Sequence, residues 1–184
     1  MTDEIYPCPI CNDGNAMMVY IDDGDKEFWG CGECGNVWQS EEELVSGMEK
    51  ANQMELQHLL PQHKQDNSNI DRLKNLQDEE IRPLVPELLT WLADCNWPVA
   101  SDVLGVLKSR EILVFPHIAG ILNGSDVEWK CWIMQLLIPS FSPDHKEKLR
   151  GEIEKLMSLT SLDEDTQWVV EAATYCYEKC FEVT

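Results

Sequence analysis

Hydrophobic positions follow two different spacings along this 184-residue chain, and the spacing changes after about residue 40. Before that point the apolar residues form short runs, Met17–Ile21 and Glu27–Gly30, on either side of an Asp-Gly dipeptide. Two such runs around Asp-Gly predict a β-hairpin. From Ile70 onward, apolar residues recur every three to four positions, which predicts helices. The expected fold is therefore mainly α, with a small β unit at the N-terminus.

The predicted helices share an apolar stripe at helical spacing. These stripes cover Ile70–Leu76, Leu84–Leu92, Val99–Leu107, Ile112–Leu122, Val127–Ile138, Leu149–Met157 and Trp168–Cys176. Trp97, Trp129 and Trp168 recur along this part of the chain at spacings of 32 and 39 residues. Spacings of this size are typical of helix-pair repeats, so we expect a HEAT-like stack of helical hairpins.

Polar residues mark where several of these helices begin and end. Asp126 and Ser142 each precede a stripe, where short polar side chains cap the free N–H groups of a helix. The acids around Asp163 open the last helix. Asn123-Gly124 follows a stripe and predicts a left-handed C-cap.

Residues 41–65 are expected to connect the two parts of the chain. The three acids Glu41–Glu43 suit the positive end of a helix dipole, and the helix should end before Pro61. Its few apolar positions predict a solvated spacer. We therefore divide the chain into a ribbon at residues 1–40, a linker helix at 41–65 and a helical domain at 66–184.

Two Cys-x-x-Cys hooks are the strongest chemical signal in the sequence. Cys8 and Cys11 form the first hook, and Cys31 and Cys34 form the second, with nineteen residues between the hooks. Each two-residue gap lets both thiolates of a hook reach one ion, and four thiolates complete a closed tetrahedral shell. Gly35 allows the tight backbone turn that follows the second hook. The sequence thus predicts these four cysteines as ligands of one structural Zn²⁺.

The runs Cys8-Pro9-Ile10-Cys11 and Cys31-Gly32-Glu33-Cys34-Gly35 resemble the knuckles of a zinc ribbon or a rubredoxin-like module. Rubredoxins hold a redox iron in similar knuckles, so iron stays an alternative to the favoured zinc. The carboxylates of Asp22–Asp25 lack the ligand spacing of a calcium loop. Metal ligation by cysteines, without a leader or a long apolar run, predicts a cytoplasmic protein that does not enter membranes.

The net charge of −20 narrows the choice of partner. Residues 1–45 hold eleven acids and one lysine, and residues 46–184 hold twenty-three acids and thirteen basic residues. Nucleic-acid binding requires Lys and Arg to neutralise phosphates, so this role is disfavoured. An acidic surface favours a basic protein partner and salt-sensitive association. The alternative is that the charge only keeps the protein soluble.

A second resemblance rests on four runs of the helical part: Leu88–Leu92, Asn96–Ala100, Phe115–Ile118 and Trp129–Trp132. They resemble a bacterial helical family that bears only a domain-of-unknown-function label, family 5071, over roughly residues 58–180. The resemblance implies an α-helical, HEAT-like domain without an established activity.

Enzymatic activity is not expected, because the sequence has no Gly-rich phosphate loop, no His-Glu-x-x-His and no Gly-x-Ser-x-Gly. A closed four-cysteine shell also leaves no position at which a metal could activate water. His117 is expected to be a packed or surface histidine. Cys176 and Cys180 lie four apart on one helix face, which suits the core or half of a metal site.

Two function hypotheses remain. The first is a zinc-binding interaction module, of the immunity or adaptor kind, that docks a basic protein. The second is a redox or metal-sensing protein that uses the four-cysteine site. The sequence does not indicate an oligomeric state.

Overall fold

The short apolar runs near the N-terminus form an antiparallel sheet in this computed structural model, which describes residues 5–11, 14–20, 27–161 and 163–182. The four strands are β1 (Ile5–Pro7), β2 (Asn15–Tyr20), β3 (Glu27–Cys31) and β4 (Val37–Trp38), paired in the order β1-β2-β3-β4. The predicted hairpin is confirmed as the β2–β3 pair, in which Met18 lies opposite Trp29. Strand β1 was not predicted. The Asp22–Asp25 segment lies outside the described residues.

One face of the sheet carries the small core of this part of the chain. Side chains alternate between the two faces of a strand, so Ala16, Trp29 and Trp38 share the buried face. Leu44 completes this core from the helix that follows, α1 (Glu41–Gln57), and it is fully buried.

Two side chains cap the start of helix α1. The Ser40 hydroxyl accepts a hydrogen bond from the Glu43 N–H, and the Glu43 carboxylate accepts one from the N–H of Gln39, the residue before Ser40. The Tyr6 hydroxyl also donates to the Glu41 carboxylate. The chain divides into two compact units, residues 1–58 and 59–184, so the helix predicted as a linker lies inside the first unit.

The second unit is helical, and the structure confirms a mainly α fold with a small N-terminal sheet. Its α-helices are α2 (Ile70–Asn75), α3 (Asp78–Ile81), α4 (Val85–Thr90), α5 (Pro98–Lys108), α6 (Glu111–Leu122), α7 (Val127–Trp132), α8 (Pro143–Met157) and α9 (Glu164–Phe181). Each predicted stripe buries apolar side chains in a common core, and α8 packs along α9. The HEAT-like repeat stays a prediction.

The predicted helix Val127–Ile138 is not continuous. After α7 the backbone widens into a π-helical turn at Ile133–Leu137 and then tightens into a 3₁₀ turn at Ile138–Ser140. Pro139 explains the change, because proline lacks an N–H and its ring clashes with the carbonyl four residues earlier.

The capping predictions have mixed outcomes. Asp126 is confirmed as an N-cap, since its carboxylate accepts from the Trp129 N–H (2.9 Å). Asp163, one of the acids expected to open the last helix, caps it by accepting from the Thr166 N–H (2.8 Å). The left-handed C-cap at Asn123-Gly124 is wrong, because Asn123 is right-handed and Gly124 has no positive φ. The last turn of α6 is satisfied instead by the N–H groups of Asn123 and Gly124 and by the Asn123 side-chain amide. Lys130 Nζ donates to the Gly124 carbonyl beyond the helix at 2.9 Å.

Candidate metal centre

The four cysteines of the two hooks converge on one point in the first unit. Their sulfur atoms all lie within 4.8 Å of one another. The shortest separations join opposite hooks, 3.6 Å between Cys8 and Cys34 and 3.8 Å between Cys11 and Cys31. Four sulfurs at about 2.3 Å from one tetrahedral ion are about 3.8 Å apart. The cluster can therefore hold a metal ion.

Strand pairing brings the hooks together. The first hook fills the turn between β1 and β2, and the second fills the turn between β3 and β4. Because β2 pairs with β3, with Ala16 opposite Cys31, the two turns lie at the same end of the sheet. Backbone bonds fix each turn, from Cys8 N to Gly14 O (2.8 Å) and from Cys31 N to Asn36 O (2.9 Å). The ligand positions thus follow from the strand register.

Hydrogen bonds to sulfur favour the thiolate form at two of the four positions. The Ile10 N–H donates to Cys8 Sγ at 3.4 Å, and the Asn36 amide donates to Cys34 Sγ at 3.1 Å. The Asn36 amide lowers the pKa of the Cys34 thiol to about 6, whereas burial raises the pKa of the Cys8 thiol to about 11. An ion that attracts thiolates has to displace the Cys8 proton.

The cluster is covered unevenly. Cys8 and Cys31 are buried and share the core with Trp29, whose ring meets Tyr6 edge-on at 5.2 Å. Cys34 is exposed. A bound ion would therefore be shielded by aromatic rings on one side and would approach water on the other.

Two glycines make the cluster possible, and only one was recognised from the sequence. Gly35 has φ +73°, a left-handed conformation that favours glycine, as its place after the second hook predicted. A Cβ at Gly14 would lie 2.7 Å from Cys31 Sγ and 2.9 Å from Glu33 Cβ. No sequence signal identifies this close approach, because the two hooks meet only in the folded chain.

The helical unit has a different kind of cluster, around Glu111 at the start of α6. One Glu111 oxygen accepts from the Ser142 N–H (2.7 Å) and the Ser142 hydroxyl (2.6 Å), and it lies 2.6 Å from His145 Nδ1. Burial raises the pKa of Glu111, but the bonds from Ser142 and His145 outweigh it and lower the pKa overall. Ser142 precedes α8 as predicted, yet its side chain bonds α6 rather than capping its own helix. The cluster joins the starts of two helices.

Arg110 forms a second set of hydrogen bonds near the start of α6, and no sequence pattern predicted it. Its guanidinium bonds the Asp78 carboxylate at 2.6 Å and the carbonyls of Leu76 (2.6 Å) and Lys74 (3.0 Å). The side chain is mostly buried, so it holds the α2–α3 turn against the start of α6.

His117 lies at a cavity of about 410 Å³ in the second unit. The cavity lies between α4, α6 and α7, and its wall includes Leu89, Ile121, Asp126 and Trp129. The runs Phe115–Ile118 and Trp129–Trp132, which carried the family resemblance, each contribute a residue to it.

The remaining cysteines occupy separate places in the second unit. Burial raises the pKa of the Cys95 and Cys131 thiols to about 11. Cys176 is buried on α9, and its sulfur lies 3.9 Å from that of Cys180. Hydrogen bonding between these two thiols lowers the pKa of Cys180 to about 7 and raises that of Cys176.

Comparison with known families agrees with the resemblance seen in the sequence. Residues 59–177 match the family model described as "Domain of unknown function (DUF5071)". A search among curated proteins found no match. In the described residues, none of the helices is both long and apolar enough to cross a membrane.

Proposed function

The chain belongs to the DUF5071 family, and we propose that it is a non-enzymatic, zinc-binding interaction module that docks a basic partner protein. The observation that carries the proposal is the large acidic excess, a net charge of −20, on a chain in which four cysteine sulfurs lie close together. The helical unit is the expected docking part, and the sheet with its ion is a stabilised accessory.

The choice of zinc rests on the donor set. Four thiolates at the observed sulfur spacings suit a tetrahedral ion without geometric preference of its own, and a four-sulfur shell is typical of structural zinc. The residues that would hold the ion are Cys8, Cys11, Cys31 and Cys34. Zinc there would crosslink the two turns of a sheet whose core is small, which is how such units reach stability. Four thiolates would fill the coordination shell of the ion and leave no open position for catalysis.

The basic partner is inferred from charge that the chain does not neutralise itself. Ion pairs within the described residues engage the carboxylates of Asp71, Asp78, Glu111 and Glu147. Exposed acids such as Glu79, Glu80 and Glu164 take part in none of these pairs. Complementary charge would speed association and make it depend on salt. An immunity protein that blocks a basic toxin, or an adaptor in the cytoplasm, fits this chemistry.

A metal-removal experiment tests the first half of the proposal. Elemental analysis of the purified full-length chain should find one zinc per chain and no iron. Chelation should unfold residues 1–40 first, which Trp29 and Trp38 would report as a red-shifted fluorescence, while the helical signal of circular dichroism largely stays. The Cys8→Ser/Cys34→Ser variant should match the chelated chain, and Cys95→Ser should match the native one. A chain without metal that keeps its native fluorescence would contradict the structural role.

A pull-down from the native host at low and high salt tests the second half. We expect capture of a basic protein whose affinity falls as ionic strength rises, because screening weakens exposed charge pairs. Replacing the exposed acids Glu79 and Glu80 by glutamine should weaken capture of the partner. The control substitution Gln65→Asn leaves the charge unaltered and should have a smaller effect. A partner with salt-independent affinity would overturn the electrostatic reasoning.

The second candidate is a redox or metal-sensing role, and it draws support from the exposed Cys34 at the edge of the cluster. Iron at the site, or a reversible redox wave, would favour it. A colourless protein with one tightly held zinc and no redox wave would exclude it.

A further inference from the structure

Cys176 and Cys180 lie one turn apart on α9, and the 3.9 Å between their sulfur atoms resembles the 3.6 and 3.8 Å between opposite hooks of the metal centre. The pair lies in the second unit and takes no part in that centre. We propose that Cys176 and Cys180 form a second, open site that binds one thiophilic metal ion, of the Cu⁺ or Zn²⁺ kind, through two thiolates.

The sulfur separation suits a bridging ion. With metal–sulfur bonds of about 2.3 Å, sulfurs 3.9 Å apart subtend an angle of about 115° at the metal. This angle lies between those of tetrahedral and trigonal coordination, so the ion can enter without a change in the helix backbone. Binding forms two metal–sulfur bonds and releases the two thiol protons, and it needs no oxidant.

A disulfide suits the same pair less well. Disulfides need Cβ atoms about 3.5–4.5 Å apart, whereas residues four apart on a helix hold theirs about 5–6 Å apart. Closing the S–S bond would therefore distort α9. An ion between the sulfurs spans the gap that a direct bond does not.

The surroundings allow both entry and charge balance. Cys176 is fully buried, but Cys180 is half-buried at the end of α9 and gives solvent a route to the pair. The positive charge of the Lys146 ammonium lowers the pKa of both thiols. This cation would offset part of the negative charge of two thiolates. Within the described residues no third Cys, His, Asp or Glu joins the pair, so water would complete the coordination.

Titration of the reduced full-length chain with Cd²⁺ tests the site, because thiolate-to-Cd²⁺ charge-transfer absorption grows with the number of bound thiolates. The wild-type chain should bind in two phases, and the second phase should have half the amplitude of the first. Cys180→Ser should lose the second phase while its circular dichroism stays native, and Cys176→Ser/Cys180→Ser should do the same. Cys95→Ser, the matched control, should keep both phases.

The Cys8→Ser/Cys34→Ser variant separates this site from the four-cysteine centre. It should lose the first phase and keep the second. A single phase in the wild-type chain, or a second phase that survives Cys180→Ser, would overturn the proposed pair. If Cys8→Ser/Cys34→Ser loses only the first phase, the second phase belongs to a site other than the four-cysteine centre. The proposed pair then stands whatever the role of that centre.

Discussion

Replacing Gly14 by alanine should weaken metal binding at the four-cysteine cluster through a steric conflict with a ligand. The new Cβ would lie 2.7 Å from Cys31 Sγ and 2.9 Å from the Glu33 side chain. In the metal-free chain the Cys31 side chain can turn away, but an ion held by four sulfurs fixes it in place. The conflict with Cys31 therefore falls on the metal-bound state, whereas the conflict with Glu33 Cβ, which the backbone holds in place, is present in both states.

The size of the effect follows from the cost of overpacking. An extra methyl group in a well-packed site costs about 1–3 kcal/mol, which corresponds to a loss of about 5- to 150-fold in zinc affinity. Gly32→Ala is the matched control, because a Cβ there has no atom within 4 Å. Gly35→Ala adds a conformational control, since its Cβ is also unobstructed but its φ of +73° costs about 1–2 kcal/mol for a residue other than glycine.

Competition with a chromophoric zinc chelator measures the three affinities, and thermal unfolding with and without zinc shows on which state each change acts. Gly14→Ala should lower the affinity at least several-fold below Gly32→Ala, whose affinity should equal that of the wild type. If Gly14→Ala and Gly32→Ala bind zinc equally well, the hooks do not meet as closely as described and the steric argument fails.

Three further predictions concern the contacts that hold each unit together. Leu44→Ala removes a fully buried side chain and should lower the free energy of unfolding of the first unit by about 2–5 kcal/mol. Met54→Ala, at an exposed position of the same helix, should have little effect. Equal melting temperatures for the two variants would show that α1 is only a spacer. Arg110→Lys should lower the free energy of unfolding, measured by chemical denaturation, by about 1–3 kcal/mol, because one ammonium cannot satisfy the Asp78 carboxylate and two carbonyls together. Arg82→Lys, at an exposed position, is the control. A similar loss of stability in both variants would contradict this assignment. The pKa of Glu111 is lowered in the folded state, so its contribution to stability is present above its unfolded pKa of about 4.3 and is lost as the pH falls through the folded value. Glu111→Gln should therefore flatten the loss of stability between about pH 5 and 3 in urea titrations, Glu154→Gln should not, and parallel pH curves for all three chains would refute the assignment.

Local patterns predicted most of the elements of this fold. The helical stripes are visible because helix periodicity depends on residues only three or four apart, and the N-caps Asp126 and Asp163 act within the same turn. The departures occur where a local signal was overridden. Pro139 interrupts the predicted Val127–Ile138 helix, and the backbone stays right-handed at Asn123, where a left-handed C-cap was expected.

The candidate site shows the same division between near and distant residues. The Cys-x-x-Cys spacing alone predicted the four cysteines that the fold brings together, because each hook is a local motif. The contact of Gly14 with Cys31 and the burial of Leu44 were not predictable, since both depend on how strands and α1 pack together. Helix α1 has few apolar positions, yet it joins the core of the first unit through the single buried side chain of Leu44.

The sequence by itself determined the mainly α character of the chain, its N-terminal sheet, its four clustered cysteines and its acidity, because each is a property of composition or of spacing over a few residues. Tertiary structure alone decided which cysteines face each other across the hooks, why Gly14 has to be glycine, and how Ser142 and Arg110 reach residues more than thirty positions away. These contacts depend on the packing of elements distant in sequence, and no local pattern encodes them.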